Sequence, residues 1–212
     1  MIGCWSTKGG SGTTVISAAL AFSRAKTGEA VRLIDACGDL PAVLGICEPN
    51  GPGLSDWLAS SRATASGLAE HAVPVTTNVS LVPRGSFENL SLDRDALARL
   101  SRALQHLGGC TIVDFGRHVE RLDLREHAIR SILVVRPCYL ALRRASTSPK
   151  PDSIIIVEET SRALRPRDVE QVVGVRVMAT VPIDPTIARC VDAGLLATQL
   201  PPLLATALNG WS

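Results

Sequence analysis

Short apolar runs alternate with stretches of helical periodicity from one end of the chain to the other. The runs fall at residues 2–6, 31–35, 79–82, 111–115, 131–135, 153–157 and 175–181. Runs this short and this uniformly apolar predict strands buried on both faces, as in a parallel sheet. Between them, residues 13–27 carry apolar side chains around most of a helical circumference, which predicts a helix packed flat on the sheet. Residues 92–107 are more sharply amphipathic. Leu97, Leu100, Leu104 and Leu107 share one face, while Asp93, Arg99, Arg102 and His106 lie off it. Ser91 is the expected cap of that helix, and Gly108-Gly109 its stop. Turn chemistry predicts further helices at 167–173, between Pro166 and Gly174, and at 186–193, between Asp184-Pro185 and Gly194.

Strands alternating with helices define the expected fold class as α/β, a doubly wound, mostly parallel sheet with helices on both faces. In such sheets ligands gather beyond the carboxyl ends of the strands. The stretches 49–53 and 146–151 read as loops, since neither half of the chain can bury a sheet alone. Residues 1–212 are therefore expected to form a single domain.

Composition narrows this further. Hydrophobic residues at 46% and charged residues at 20% exclude a disordered chain. Aromatics at 3% leave the core to Leu, Val, Ile and Ala. A net charge of +2 is too near neutral to indicate a nucleic-acid binder. Arg117, Arg121, Arg125, Arg130 and the pair Arg143-Arg144 offer that reading its support, but Glu120, Asp123 and Glu126 between them indicate mixed, solvated charge. No apolar stretch approaches the ~18 residues that span a bilayer. The apolar tail at 200–211 lacks the basic residues of a membrane-surface helix and is expected to pack on the domain.

The six cysteines form no CxxC pair, and several sit in apolar runs, which suits reduced thiols in a cytoplasmic protein with no leader segment. His71, His106, His118 and His127 form no HxxxH pair, and no serine stands in a nucleophile elbow.

One segment carries candidate chemistry. After the run at 2–6, Thr7-Lys8-Gly9-Gly10-Ser11-Gly12-Thr13-Thr14 leads directly into a helix. Glycines let consecutive backbone N–H groups converge on one anion, and the following helix turns its positive end toward the same point. Thr14 ends the loop with a hydroxyl suited to Mg²⁺. Position 13, where the ordinary phosphate loop has lysine, is threonine; the lysine stands instead at Lys8. Two strands behind the loop end in carboxylates, Asp35 after Val31-Arg32-Leu33-Ile34 and Asp114 after Thr111-Ile112-Val113.

This loop resembles the deviant Walker A motif of the ParA/MinD superfamily, and with threonine in the sixth place it is most similar to the CpaE/TadZ branch associated with pilus machinery. The segment Asp35-Ala36-Cys37 resembles that family's switch I, a D-x-D pattern in which Cys37 replaces the second aspartate. Asp39 lies too far along for a simple substitute and reads as a solvated loop residue. Thr111-Ile112-Val113-Asp114 is similar to Walker B, and the Gly116 amide after it is placed to meet a γ-phosphate. Gly53-Leu54-Ser55-Asp56-Trp57-Leu58, Val82-Pro83-Arg84-Gly85 and Val181-Pro182-Ile183-Asp184 match weaker register marks. Glu158-Glu159 stand where relatives often place the Asn-Arg that reads adenine, which shifts that task to backbone groups near 182–184.

The resemblance implies ATP and Mg²⁺ as cofactors. Lys8, Gly9, Gly10, Ser11, Gly12, Thr13 and Thr14 would hold the nucleotide, Thr14, Asp35 and Asp114 the metal, and Lys8 and Asp35 would act in catalysis. It implies a homodimer closed over nucleotide through Lys8, slow hydrolysis at most for want of a lysine at Thr13, and a protein partner in a positioning or pilus system. Two alternatives stay open: an active ParA-type ATPase moving DNA or other cargo, and a nucleotide-free pseudo-ATPase serving as an interaction module. A nitrogenase-reductase-like role needs cluster cysteines in particular loops, which the scattered cysteines here do not provide.

Overall fold

The computed structural model describes residues 1–61, 63–87, 90–160 and 162–209. In chain order its elements are β1 (Ile2–Trp5), α1 (Thr13–Ala25), β2 (Val31–Asp35), α2 (Leu40–Leu44), α3 (Leu54–Ala59), α4 (Ala65–Glu70), β3 (Val73–Pro74), β4 (Val79–Val82), α5 (Arg94–Leu107) and β5 (Cys110–Gly116). A 3₁₀ turn (Leu124–His127) follows, then β6 (Arg130–Val135), α6 (Tyr139–Ala145), β7 (Ser153–Glu158), α7 (Pro166–Val173), β8 (Val177–Pro182), α8 (Pro185–Asp192) and α9 (Pro202–Leu208). The strands form one sheet in the order β3-β4-β2-β5-β1-β6-β7-β8. Every pairing is parallel except β3 with β4.

The apolar runs are continuous because both faces of the sheet are covered. Leu33, Ile112, Ile132, Val134 and Ile155 point into a core shared with Ile16, Leu20 and Phe22 of α1 and with Leu204 and Leu208 of α9. Their chain neighbours Ile34, Val113, Leu133, Val135, Ile154 and Ile156 point into the opposite core, built with Leu97, Leu100 and Leu104 of α5, Leu142 of α6 and Val169 of α7. The strand period of two thus sorts one unbroken apolar run between two helical layers.

Helix ends explain the small departures from the sequence reading. Asp93, not Ser91, caps α5: its carboxylate accepts the Ala96 N–H at 2.8 Å, so the helix starts at Arg94. Leu92 stays outside the helix and is buried. β8 starts at Val177, whose N–H donates to Glu170 Oε1 at 2.8 Å. The edge strand β3 is two residues long and contains Pro74, a form that blunts a sheet edge and leaves little trace in a sequence pattern. The tail packs on the sheet through Leu204 and Leu208, as expected; Trp211 lies outside the described residues. Among the described residues no helix is long and apolar enough to cross a membrane.

Candidate functional site

The glycine loop joins β1 to α1 at the carboxyl edge of the sheet and is tied down on every side. The Ser6 and Ser11 hydroxyls both donate to the Lys8 carbonyl, at 3.1 and 2.7 Å, and close the loop on itself. The Ser6 N–H donates to the Gly116 carbonyl at 2.6 Å, which fastens the loop to the end of β5. The Thr7 hydroxyl donates to the Ala141 carbonyl at 3.0 Å, and Arg144 returns the tie by donating to the Thr7 carbonyl at 3.0 Å. Gly12, with φ of 87°, is the residue before α1 and lets the chain turn into the helix with its leading amides facing outward.

That turn opens into a cavity of about 540 Å³ lined by Gly9, Gly10, Gly12, Thr13 and Thr14 on one side and by Cys37, Asp39, Gly116 and Arg117 on the other. Gly9 and Gly10 are exposed at its lip, Ser11 and Thr13 are buried, and Lys8 and Thr14 are half-buried. The Lys8 ammonium makes no ion pair among the described residues.

Behind the loop, the register of β2 on β5 sets Asp35 directly beside Asp114. Both are fully buried. Asp35 is held by its own loop: Oδ1 accepts the N–H groups of Cys37 at 2.8 Å and Gly38 at 2.7 Å, and Oδ2 accepts Leu40 N–H at 3.0 Å. Burial pushes its carboxyl above the ordinary range, and these amides pull it part of the way back. Asp114 is less well supplied. Oδ1 accepts the Gly116 N–H at 3.2 Å, while Oδ2 has no hydrogen-bond partner among the described residues. Burial pushes the Asp114 carboxyl up to about 7; the nearby Thr14 hydroxyl eases its charge and Asp35 opposes it.

Two groups belong to this site that sequence reasoning passed over. Cys37 was set aside because it cannot act as a carboxylate, yet its ligand atom and those of Asp35 and Asp114 all lie within 4.8 Å of one another. Its sulfur packs against Gly116 so closely that a Cβ there would sit 2.3 Å away, so position 116 must stay glycine. Burial, then the flanking Asp114 and Asp35 charges, push the Cys37 thiol up. Arg144, read as surface charge, braces the loop through Thr7, a contact 137 residues apart in sequence.

Other expectations shift in detail. The Gly116 amide turns to Asp114 and not into the cavity. Asp39 is exposed at the rim. Glu159 is held by Arg136 at 2.8 Å and Arg162 at 2.7 Å, and the Ile183 N–H donates to the Glu158 carbonyl at 2.8 Å. The Glu159 carboxylate and one of the backbone groups near 182–184 are therefore already engaged. Arg117, Arg125 and Arg94 pair with Glu120, Asp123 and Glu126, as the mixed-charge reading expects.

The strand order and the glycine loop at the head of α1 define a P-loop nucleotide-hydrolase fold. Solved structures of ParA and MinD proteins share this fold. A ParA family ATPase from Chlorobium tepidum superposes with a TM-score of 0.73 over 99% of this chain and 98% of its own, at 21% identity. The MinD cell division protein of Aquifex aeolicus gives 0.74 over 100% and 97%, at 19% identity. The septum site-determining protein MinD of Pyrococcus horikoshii, complexed with Mg-ADP, gives 0.71 over 98% and 91%, at 21% identity. No family model matches the sequence, and no curated protein matches it. Likeness at this identity establishes the fold.

Proposed function

We propose that this protein binds ATP with a divalent cation in the glycine-loop cavity and works as a ParA/MinD-like positioning protein. The observation that carries the reading is the loop itself. Its glycines and the first turn of α1 face a cavity of about 540 Å³ whose opposite wall leads to two buried carboxylates on neighbouring strands. Backbone amides and the helix dipole supply the anion site. The orphaned Asp114 Oδ2 and the Thr14 hydroxyl fit a cation, which would be held there with Asp35 behind it. When bound, that cation would neutralise charge on the phosphates.

The residues favour binding over turnover. Thr13 provides no ammonium where charge would build during phosphoryl transfer. Lys8, which makes no ion pair among the described residues, would by the resemblance of the loop reach the phosphates held by a second copy. The resemblance of the loop to the CpaE/TadZ branch extends the reading to a cytoplasmic scaffold that dimerises on ATP and acts through a protein partner of a pilus or secretion system.

Calorimetric titration with ATP and ADP plus Mg²⁺, run beside light scattering, tests this. One ATP per chain and a doubling of mass are expected for the wild type, with the doubling lost in Lys8→Ala. Absence of binding to either nucleotide would leave a pseudo-ATPase interaction module. Rapid hydrolysis would place the protein with active partitioning ATPases and refute the role given to Thr13.

A further inference from the structure

The cation position differs chemically from an all-oxygen magnesium site, because one of its three converging side chains ends in sulfur. Asp35, Cys37 and Asp114 bring their ligand atoms within 4.8 Å of one another. Each is fixed by a different piece of the fold. Asp114 lies two residues before the end of the central strand β5, Asp35 ends its neighbour β2, and Cys37 packs between Gly116 and the Asp114 carbonyl, 3.7 Å from its sulfur.

An independent observation indicates that this cluster awaits a ligand. Asp114 is fully buried, yet its Oδ2 has no hydrogen-bond partner among the described residues. A buried carboxylate oxygen left without a donor is costly, and a cation is the partner that removes the cost. Asp35 retains capacity as well: Oδ2 accepts only the Leu40 N–H and keeps a lone pair free.

We infer that the crevice formed by Asp35, Cys37 and Asp114 is a thiophilic divalent-cation site that takes zinc-class ions in preference to magnesium. The inference rests on the crevice being the cation half of the proposed nucleotide site, and it concerns which cation enters. Magnesium takes an octahedron of oxygens and keeps much of its water, whereas thiolate ligands select zinc and its relatives. Two carboxylates and one sulfur make a three-ligand set with a fourth position open, the composition of sites that keep an exchangeable ligand. Zinc lies about 2.3 Å from sulfur and about 2.1 Å from oxygen, so ligand atoms that lie within 4.8 Å of one another draw together by up to roughly 1 Å as the ion enters. On binding, the sulfur–metal bond replaces the sulfur–hydrogen bond, and the proton leaves to solvent. Cys37 lines the cavity, so the ion enters from the side that faces the glycine loop.

The test is cobalt(II) titration of the full chain without nucleotide, followed by absorbance, then competition with Zn²⁺ and Mg²⁺. The wild type is expected to take one cobalt per chain with a near-ultraviolet sulfur-to-cobalt charge-transfer band. Zinc should displace it at equal concentration and magnesium should not at 100-fold excess. Cys37→Ser should abolish the band and weaken zinc binding by about 100-fold. A chain with Cys47, Cys110, Cys138 and Cys190 all changed to serine should keep the band, which guards against a folding defect in the single variant. Persistence of the band in folded Cys37→Ser, its loss in the four-serine chain, or displacement by equimolar magnesium would each overturn the inference. Failure here with normal Mg-ATP binding would leave the nucleotide reading intact. A cobalt band without ATP binding would do the reverse.

Discussion

The two ends of the sheet carry cavities of similar size and opposite character. The carboxyl end holds the space of about 540 Å³ beside the glycine loop. The amino end holds one of about 420 Å³, lined by Ala30, Val31, Arg32, Asn78, Gly108, Gly109 and Cys110 among others. In a parallel sheet every crossover helix starts at the carboxyl end and finishes at the amino end. The first cavity therefore faces the N–H end of α1, whereas the second lies where α5 presents its carbonyl end. Polar groups at the amino end are also already matched. Arg32 donates to Thr111 Oγ1 at 3.1 Å, Asn78 to the Ala25 carbonyl at 3.3 Å, and the Val31 N–H to the Asn78 carbonyl at 2.8 Å. What separates a site from a hollow here is aligned, unspent hydrogen-bonding capacity, not volume.

The strongest way to break the comparison is to add a side chain at each end. Gly12→Val forces a branched residue into φ of 87° with its Cβ 3.3 Å from Val157 Cγ2, and should cost ATP affinity about 100-fold or more. Gly109→Val, also at positive φ but facing open space at the amino end, should lower stability by about 1–2 kcal/mol and leave ATP affinity unchanged. Calorimetry and denaturant melts of both variants check this.

The buried acids give the next largest effect. The native Asp114 carboxyl lies near 7 against an ordinary value of 3.8, so the folded state holds a proton that the unfolded state releases. Stability in the metal-free protein should therefore fall as pH rises from about 4 to about 7, by at most about 4 kcal/mol. The groups facing Asp114 in that window are Asp35, Asp39, Cys37 and Thr14. In Asp114→Asn that slope should flatten. Urea melts at pH 5 and pH 7.5 measure it; an unchanged slope would mean that Asp114 does not carry the proton.

The brace on the loop should matter less. Arg144→Ala removes one charged hydrogen bond to the Thr7 carbonyl, worth about 1–2 kcal/mol, and should weaken ATP binding about tenfold and lower the melting temperature by a few degrees. Arg32→Ala, which removes a comparable contact at the amino end, should leave ATP binding within twofold. Equal effects from the two would show that the loop gains nothing from α6.

Much of this site is readable from sequence because the signals are local. An unbroken apolar run needs both sheet faces covered, so the central strands announce themselves, and Asp35 and Asp114 are legible as the carboxylates near the carboxyl ends of two such runs. The glycine loop is legible because its chemistry lies in consecutive residues. The short helices α3, α4 and α6, six or seven residues each, complete barely two turns and show too little periodicity to be read. Ser91 and Asp93 are both competent caps, and the bond from the Ala96 N–H to Asp93 shows which one is used. Cys37 and Arg144 were missed for another reason: the importance of each lies in a contact across the fold, to Asp114 and to Thr7.

The comparison of the two ends comes down to where the proposed nucleotide would touch the protein. Hydrogen–deuterium exchange with and without ATP and a divalent cation locates it directly. The account predicts slowed exchange in peptides covering residues 6–16, 35–40 and 114–117, with no change in those covering 74–80 and 107–110. Protection at the amino end, or none anywhere at saturating ATP, would contradict it.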